Sequence, residues 1–100
     1  MYAQLIEGGT TVDRRIEMDR IVTDEMIPAL QEEPGFAGAL NLVDRTTGNA
    51  LMIILWEQAA EARRPLGEYG TAFLKALASV AGISTGTRAP ISIGEVNARA

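Results

Sequence analysis

The chain has 100 residues, a formal net charge of −4, and neither cysteine nor histidine. A chain of this length forms one domain and is too short for two of ordinary size, so we expect a single domain over residues 1–100. The missing residue types exclude disulfides, zinc–thiolate sites, a histidine-ligated haem and a Ser-His-Asp triad. Acidic and basic residues are interspersed, which argues against a nucleic-acid surface.

The hydropathy of the chain predicts a protein that neither enters nor crosses a membrane. The first residues carry no basic stretch of the kind that opens a signal peptide. The longest uninterrupted apolar run, residues 50–56, is far too short to span a bilayer. We therefore expect a soluble, cytoplasmic protein with no membrane partner.

The N-terminal third of the chain predicts a strand followed by one long helix. Residues Tyr2 to Glu7 are rich in apolar side chains and are followed by Gly8-Gly9, which is typical of a short strand. Thr10 and Asp13 form an approximate capping box for a helix expected from about Val12 to Glu33. The apolar stripe of this helix comprises Ile16, Ile21, Val22, Met26, Ile27 and Leu30, and its polar face comprises Arg14, Arg15, Glu17, Asp19, Arg20 and Asp24.

Prolines and glycines mark the boundaries of the next elements. Pro28 is expected to kink the first helix or to move its last turn off axis, and Pro34-Gly35 is expected to end it. Two strand-like runs follow, Phe36 to Asp44 and Asn49 to Trp56. The residues between them predict a hairpin turn in which Gly48 adopts a positive φ.

The C-terminal half predicts a helical region and a last strand. The region from Glu57 to Ala81 is rich in alanine, and Pro65 is expected to divide it into a short and a longer helix. A loop over residues 82–89 leads to a strand from Pro90 to Val96. The order strand, helix, strand, strand, helix, strand predicts an α+β, ferredoxin-like fold, a four-stranded antiparallel sheet with both helices on one face.

The third predicted strand is apolar on both of its faces, which predicts a homodimer. Its side chains alternate between two sets, Leu51, Ile53 and Leu55 on one face and Met52, Ile54 and Trp56 on the other. Two helices cover only one face of the sheet, and an apolar face of that extent is rarely left in water. We expect a second copy of the chain to cover it through a two-fold interface. The sequence leaves open which face lies in the core.

Three segments resemble a known superfamily. They are the step Pro34-Gly35-Phe36 into the second strand, the hairpin Val43-Asp44-Arg45-Thr46-Thr47-Gly48, and Leu55-Trp56-Glu57 at the end of the third strand. Together they are similar to the dimeric α+β barrel superfamily, and the branch they resemble most is that of the antibiotic biosynthesis monooxygenases. The resemblance covers essentially the whole chain and implies a dimeric barrel. It leaves the chemistry open, because the superfamily includes oxygenases, isomerases and haem-degrading enzymes.

The resemblance also suggests candidate site residues. Trp56 matches the third-strand tryptophan of the haem-degrading branch, but the histidine of that branch is missing here, and Gln4 is the only amide in the first strand. We therefore expect no haem, flavin or metal cofactor. Quinone-forming oxygenases of the superfamily orient and deprotonate a phenolic substrate with polar side chains. By residue type, Trp56 and Asn41 are our candidate catalytic residues, and Tyr69, Arg88 and Gln4 are candidate substrate-binding residues.

Two functions remain open at this point. The first is a cofactor-independent monooxygenase-like protein that acts on an aromatic or polyketide-like small molecule, whose own carbanion reacts with dioxygen. The second is a non-catalytic dimeric module, either binding a small molecule or purely structural, in which Trp56 and Tyr69 pack in the core. A continuous cavity between helices and sheet, with Trp56 and two polar groups on its wall, favours the first function, and a filled interior favours the second.

Overall fold

A computed structural model describes residues 1–85 and 91–100 of the chain. The strands are β1 (Tyr2–Gly9), β2 (Phe36–Val43), β3 (Asn49–Trp56) and β4 (Ile91–Glu95). The first helical segment consists of a 3₁₀ turn (Val12–Arg14), α1 (Arg15–Ile21), a π-helical turn (Val22–Met26) and α2 (Ile27–Gln31). The second helical segment consists of α3 (Ala59–Ala62), a 3₁₀ turn (Leu66–Glu68) and α4 (Thr71–Ile83). In the described part of the chain, no helix has the length and apolar character needed to cross a membrane.

The four strands form one antiparallel sheet in the order β2-β3-β1-β4. β1 lies between β3 and β4 and pairs antiparallel with both of them. Each helical segment therefore connects two strands that run in the same direction and have a third strand between them. This arrangement confirms the predicted ferredoxin-like α+β fold. The second helical segment is interrupted at Pro65, after α3, which confirms its predicted division into a short and a longer helix.

The strand register decides which sheet face lies in the core. Ile54 pairs with Gln4 of β1 and with Ala39 of β2, so these three side chains share the face that the helices cover. Ile54 and Trp56 on this face are completely buried. On the opposite face, hereafter the open face, Leu40 and Leu42 are 55% and 52% exposed. The other large apolar side chains of the open face are Leu5, Leu51, Ile53 and Leu55.

Pro28 is accommodated inside a continuous helical segment by a change in helix type. A proline lacks the backbone N–H and its ring clashes with the carbonyl group of the residue four positions earlier, here Asp24. The π-helical turn Val22–Met26 contains that residue and ends two positions before Pro28. A wider turn of this kind relieves the clash without ending the helix, and it is a known alternative to a sharp kink.

The predicted apolar stripe was wrong at Ile16, and the predicted polar face was wrong at Arg15. Ile16 is 79% exposed, whereas Arg15 is only 2% exposed. The side chains of Met18 and Ile21 are buried, so the buried positions are three residues apart and begin at Arg15. An arginine is buried here because a carboxylate and a backbone carbonyl group are within reach of its guanidinium group.

The predicted capping box at Thr10 was also wrong. The Thr10 hydroxyl group donates instead to the carbonyl oxygen of Ile83, and Thr10 forms an isolated β-bridge with Ser84. The N–H group of Thr85 donates to the carbonyl oxygen of Gly9 at 3.1 Å. The predicted end of the first strand at Glu7 was too early, because Gly8 and Gly9 also pair with β3. These contacts fix the end of β1 against the end of α4.

The hairpin turn between β2 and β3 follows the predicted geometry. Gly48 has a φ of 83°, as expected. The carboxylate of Asp44 accepts hydrogen bonds from the N–H groups of Thr46 at 2.9 Å and Thr47 at 3.3 Å. A Cβ atom at Gly48 would overlap the carbonyl oxygen of Thr10. The position therefore requires glycine for both its conformation and its contact.

We expect Gly48→Ala to lower the free energy of unfolding by about 1–3 kcal/mol, because it adds strain at a positive φ and a steric overlap. Gly82→Ala is the matched control, since Gly82 lies in α4 and a new Cβ there has no neighbour within 4 Å among the residues that the structure describes. That change should instead raise the stability by up to about 1 kcal/mol. Urea unfolding followed by tryptophan fluorescence measures both variants, and an unchanged midpoint for Gly48→Ala would contradict the prediction.

Candidate functional site

One end of the interior brings together three of the candidate residues, Gln4, Trp56 and Tyr69. The indole Nε1 of Trp56 donates a hydrogen bond to Oε1 of Gln4 at 3.1 Å. The hydroxyl group of Tyr69 lies 3.5 Å from the same oxygen. All three residues are at most 2% exposed. A single buried amide therefore provides the hydrogen-bond acceptor that both aromatic side chains require.

Further side chains pack against Gln4, Trp56 and Tyr69, hereafter the aromatic cluster. The ring of Tyr69 lies 5.4 Å from that of Trp56 and 5.1 Å from that of Phe73, measured between centroids. The guanidinium group of Arg64 lies over the Tyr69 ring at 4.6 Å, and its Nη2 pairs with the carboxylate of Glu33 at 2.7 Å. Burial raises the pKa of Tyr69 above its usual value, an effect that the nearby Arg64 cation opposes. Tyr69 consequently keeps its proton at neutral pH and acts as a hydrogen-bond donor.

A cavity of about 100 Å³ lies between the sheet and the helices. Its apolar lining side chains are Ile6, Met18, Val22, Met26, Ala50, Met52, Ile54, Leu66, Phe73, Leu77 and Val80. Among the described residues that line it, Gly8 and Ser84 are exposed and the others are buried or partly buried. An apolar cavity of about 150 Å³ takes up benzene, and pockets for drug-sized ligands measure about 300–1,000 Å³. The volume found here is smaller than the cavity that takes up benzene, so a single small ring is the largest ligand that it could admit.

Three polar residues line this cavity, Arg15, Asn41 and Ser84, and the hydroxyl group of Ser84 donates to the carbonyl oxygen of Val80. Asn41 pairs with Met52 across β2 and β3 and lies on the helix-covered face of the sheet. Arg15 comes from the first turn of α1. The predicted residue Asn41 thus lines the same cavity as Arg15, a buried residue that the sequence analysis assigned to the solvent-exposed face.

Arg15 is held by partners from two different elements. Its Nε donates to Oδ1 of Asp19 at 2.9 Å, and its Nη1 donates to the carbonyl oxygen of Gly48 at 3.1 Å. Its Nη2 lies 2.9 Å from Asp19 Oδ1, which is an ion-pair distance, but no described residue accepts a hydrogen bond from it. A buried donor without an acceptor costs about 1–3 kcal/mol. The spacing of Arg15 and Asp19, four residues apart on a helix, was the sequence signal for this pair.

The predicted site residues thus fall into two groups. Gln4, Trp56 and Tyr69 contact one another and are not among the residues that line the cavity, whereas Asn41 is on the cavity wall. Arg88 lies outside the described residues. Within residues 1–85 and 91–100, no group of three acidic side chains is placed to hold a metal ion. The roles assigned to all five residues remain predictions.

Comparisons with known proteins bear on the fold. No family model and no curated protein sequence matches the chain. The structure is similar to SnoaB, a cofactor-independent oxygenase from Streptomyces nogalater, with a TM-score of 0.75 and 16% identity over 98% of this chain and 95% of that chain. It is also similar to an antibiotic biosynthesis monooxygenase, with a TM-score of 0.74 and 11% identity over 96% of this chain and 98% of that one. The chain has the antibiotic biosynthesis monooxygenase fold.

A third similar structure is Rv0793 from Mycobacterium tuberculosis, with a TM-score of 0.72 and 14% identity over 99% of this chain and 97% of that one. Structural similarity at such low identity shows the fold alone, since one fold carries many chemistries. The resemblance to the antibiotic biosynthesis monooxygenases that the sequence suggested is therefore confirmed for the fold.

We expect Trp56→Phe to lower the free energy of unfolding by about 1–3 kcal/mol, because the smaller ring leaves a space and removes the donor to Gln4. The affinity of a phenol for the cavity should stay unchanged, because Trp56 is not on the cavity wall. Thermal unfolding and ligand titration of the same variant measure both quantities. Tyr69→Phe is the control, since it removes only the hydroxyl group. A weaker affinity at an unchanged melting temperature would assign Trp56 to the site.

Proposed function

We propose that the cavity binds a small phenolic compound and that the protein oxidises this compound with dioxygen and without a cofactor. The observation that carries the proposal is the cavity itself, a mainly apolar space of about 100 Å³ with Arg15 and Asn41 on its wall. Apolar walls exclude water, and a few polar groups orient the ligand. The fold shared with SnoaB supports the proposed reaction, because that protein is a cofactor-independent oxygenase.

The proposed reaction requires little of the protein beyond binding. The phenol loses its hydroxyl proton to water, and the electron-rich ring carbon opposite the resulting oxyanion transfers one electron to dioxygen. Combination of the two radicals forms a carbon–oxygen bond and gives a peroxide. Loss of the proton from that carbon with cleavage of the oxygen–oxygen bond leaves a quinone and releases water. One phenol and one dioxygen thus give one quinone and one water, with the ring oxidised and dioxygen reduced.

In this proposal the residues at the cavity act on the substrate and the aromatic cluster does not. Asn41 donates a hydrogen bond from its side-chain amide to an oxygen of the substrate, since stabilising charge that develops during a reaction is the largest contribution of many enzyme sites. Gln4, Trp56 and Tyr69 hold β1 and β3 against the turn that precedes α4 and act indirectly. The substrate-binding role predicted for Arg88 remains a prediction.

A non-catalytic binding module is the second candidate function. It is favoured by the filled aromatic cluster, in which Trp56 is completely buried and its N–H group is already bonded to Gln4. The cavity volume also argues against the polyketide-like substrate that the sequence suggested. A fused polycyclic compound needs a volume several times larger than the roughly 100 Å³ found here. A single-ring substrate is therefore the form of the enzyme hypothesis that the structure supports.

Resorcinol tests the enzyme hypothesis. We expect uptake of one dioxygen per hydroxyquinone formed, with one oxygen atom of labelled dioxygen in the product. Ala50→Leu, which fills the cavity, should lower the rate at least about tenfold without unfolding the protein. Ala78→Leu is the matched control on an exposed position of α4 and should leave the rate unchanged. Binding of resorcinol without oxygen uptake supports the non-catalytic module instead.

We further propose that a second copy of the chain covers the open face of the sheet. Apart from Glu7 in β1 and Asn49 at the start of β3, the side chains of this face are apolar on β1, β2 and β3, and Leu40 and Leu42 are more than half exposed in the single chain. Self-association through the same face of two copies gives a closed, self-complementary pair. The resemblance to the dimeric α+β barrel superfamily points to the same partner.

Sedimentation of the wild-type protein at micromolar concentration should give twice the chain mass. Leu42→Asp should give a folded monomer, because it places a charge at a position that is exposed in the single chain. Ile54→Asp should unfold the protein, because Ile54 is completely buried in the core. Ile16→Asp, on the exposed side of α1, is the control and should sediment as the wild type. A wild-type monomer contradicts the proposed interface.

A further inference from the structure

Every methionine of the chain apart from Met1 lies on the wall of the cavity. These residues are Met18 from α1, Met26 from the π-helical turn and Met52 from β3. Each of them is between 4% and 7% exposed. A methionine side chain is unbranched, has three rotatable bonds and fills irregular gaps. Three different elements therefore each place an adaptable apolar side chain against the same free volume.

The other end of the same core is built from stiffer groups. The aromatic cluster consists of rings and an amide whose polar atoms bond to one another. Gln4, Trp56 and Tyr69 are not among the described residues that line the cavity. The free volume and the methionines thus occur together at one end of the core.

The cavity does not hold a ring without a movement of its wall. Its volume is about 100 Å³, whereas a cavity that takes up benzene measures about 150 Å³. Several lining side chains, among them Val22, Ile54 and Val80, are β-branched and stiff at their first torsion angle. A methionine changes its shape by rotation about its own bonds while the backbone stays in place. The methionines are therefore the lining residues that make room most readily.

The π-helical turn is a second feature of the same wall. The N–H group of Ile27 donates to the carbonyl oxygen of Val22, five residues earlier instead of the usual four. Val22 and Met26, the first and last residues of this turn, both line the cavity. Single π-helical turns inside α-helices occur frequently at functional sites. The irregular part of the first helical segment thus lies at the cavity.

We propose that Met18, Met26 and Met52 determine the ligand range of the cavity by changing their side-chain conformations around a bound ring. The cavity then accepts single aromatic rings that differ in a small substituent, because methionine-rich surfaces repack around ligands of different shape. This inference rests on the proposed function of the cavity as a ligand site. It names the residues that set the specificity of that site.

Two ligands that differ by one methyl group test the inference. Fluorine NMR measures the dissociation constants of fluorobenzene and 4-fluorotoluene. For the wild-type protein the two constants should differ by no more than about fivefold, because the methionines make room for the methyl group. The double variant Met26→Leu/Met52→Leu keeps the side-chain volume nearly constant but introduces branched, less adaptable side chains. Its affinity for 4-fluorotoluene should fall at least about tenfold, and its affinity for fluorobenzene by a smaller factor.

Two controls separate adaptability from other effects of the substitutions. Leu30→Met makes the reverse exchange at a completely buried position that is not among the described lining residues, and it should leave both dissociation constants unchanged. Replacement of every methionine by norleucine exchanges the sulfur atom for a methylene group and keeps the unbranched shape. That protein should keep the wild-type ratio of the two constants.

Methyl NMR of protein labelled with ¹³C at the methionine methyl groups follows the side chains directly. The signals of Met18, Met26 and Met52 should shift when the wild-type protein is saturated with 4-fluorotoluene, because their torsion angles change and the ring lies beside them. The signal of Met1, which is not among the described lining residues, is the internal control. This measurement needs no variant, so it decides the question if the leucine variant does not fold.

The outcomes separate this inference from the proposed function. Unchanged affinities in folded Met26→Leu/Met52→Leu, or unshifted methyl signals of the three methionines at saturation, overturn the inference and leave the cavity as a ligand site. A norleucine protein that discriminates as the leucine variant does also overturns it, because adaptability is then not the cause. Failure of both compounds to bind the wild-type protein overturns the proposed function together with this inference.

Discussion

The architecture depends on one constraint, the apolar character of β3 on both of its faces. Side chains of a strand alternate between the two faces of the sheet, and two helical segments cover one face only. Ile54 and Trp56 lie under the helices and are completely buried, so the core and the cavity lie on their side. The side of Ile53 and Leu55 is left uncovered in the single chain, and it is the side on which we propose that a second copy packs. One strand therefore determines both where a ligand can be held and where a second chain can pack.

The features predicted correctly from the sequence were those that depend on local chemistry. The order of the elements, the positive φ of Gly48 and the division at Pro65 follow from residue types and spacing within a few positions. The choice between the two faces of β3 could not be predicted, because both faces have similar apolar content and packing alone distinguishes them. Arg15 was assigned to solvent because a charged side chain next to Arg14 fits a polar face. Its burial depends on Gly48, a contact 33 residues away in the sequence.

In the candidate site, too, the suitable residue types could be predicted from the sequence, whereas their positions relative to the cavity could not. Residue type identified Trp56, Tyr69 and Gln4 as groups suited to a ligand, and the structure does bring them together, but around each other. Their mutual hydrogen bonds and ring contacts satisfy the polar atoms that a ligand would otherwise meet. The free volume lies elsewhere between the same two layers, beside Asn41 and Arg15. Cavity position depends on how side chains of different size fill a layer, which a periodic pattern does not encode.

The contacts of Thr10 have a consequence for the rate at which molecules reach the interior. Gly8 and Ser84 are the exposed residues of the described cavity lining, and Thr10 links the segments that carry them through its bridge to Ser84 and its hydroxyl bond to Ile83. Thr10 itself is buried, so these bonds are shielded from competing water. A molecule that enters on this side has to separate the end of β1 from the end of α4. We then expect the opening of these bonds to limit the rate of entry, independently of the affinity of the cavity.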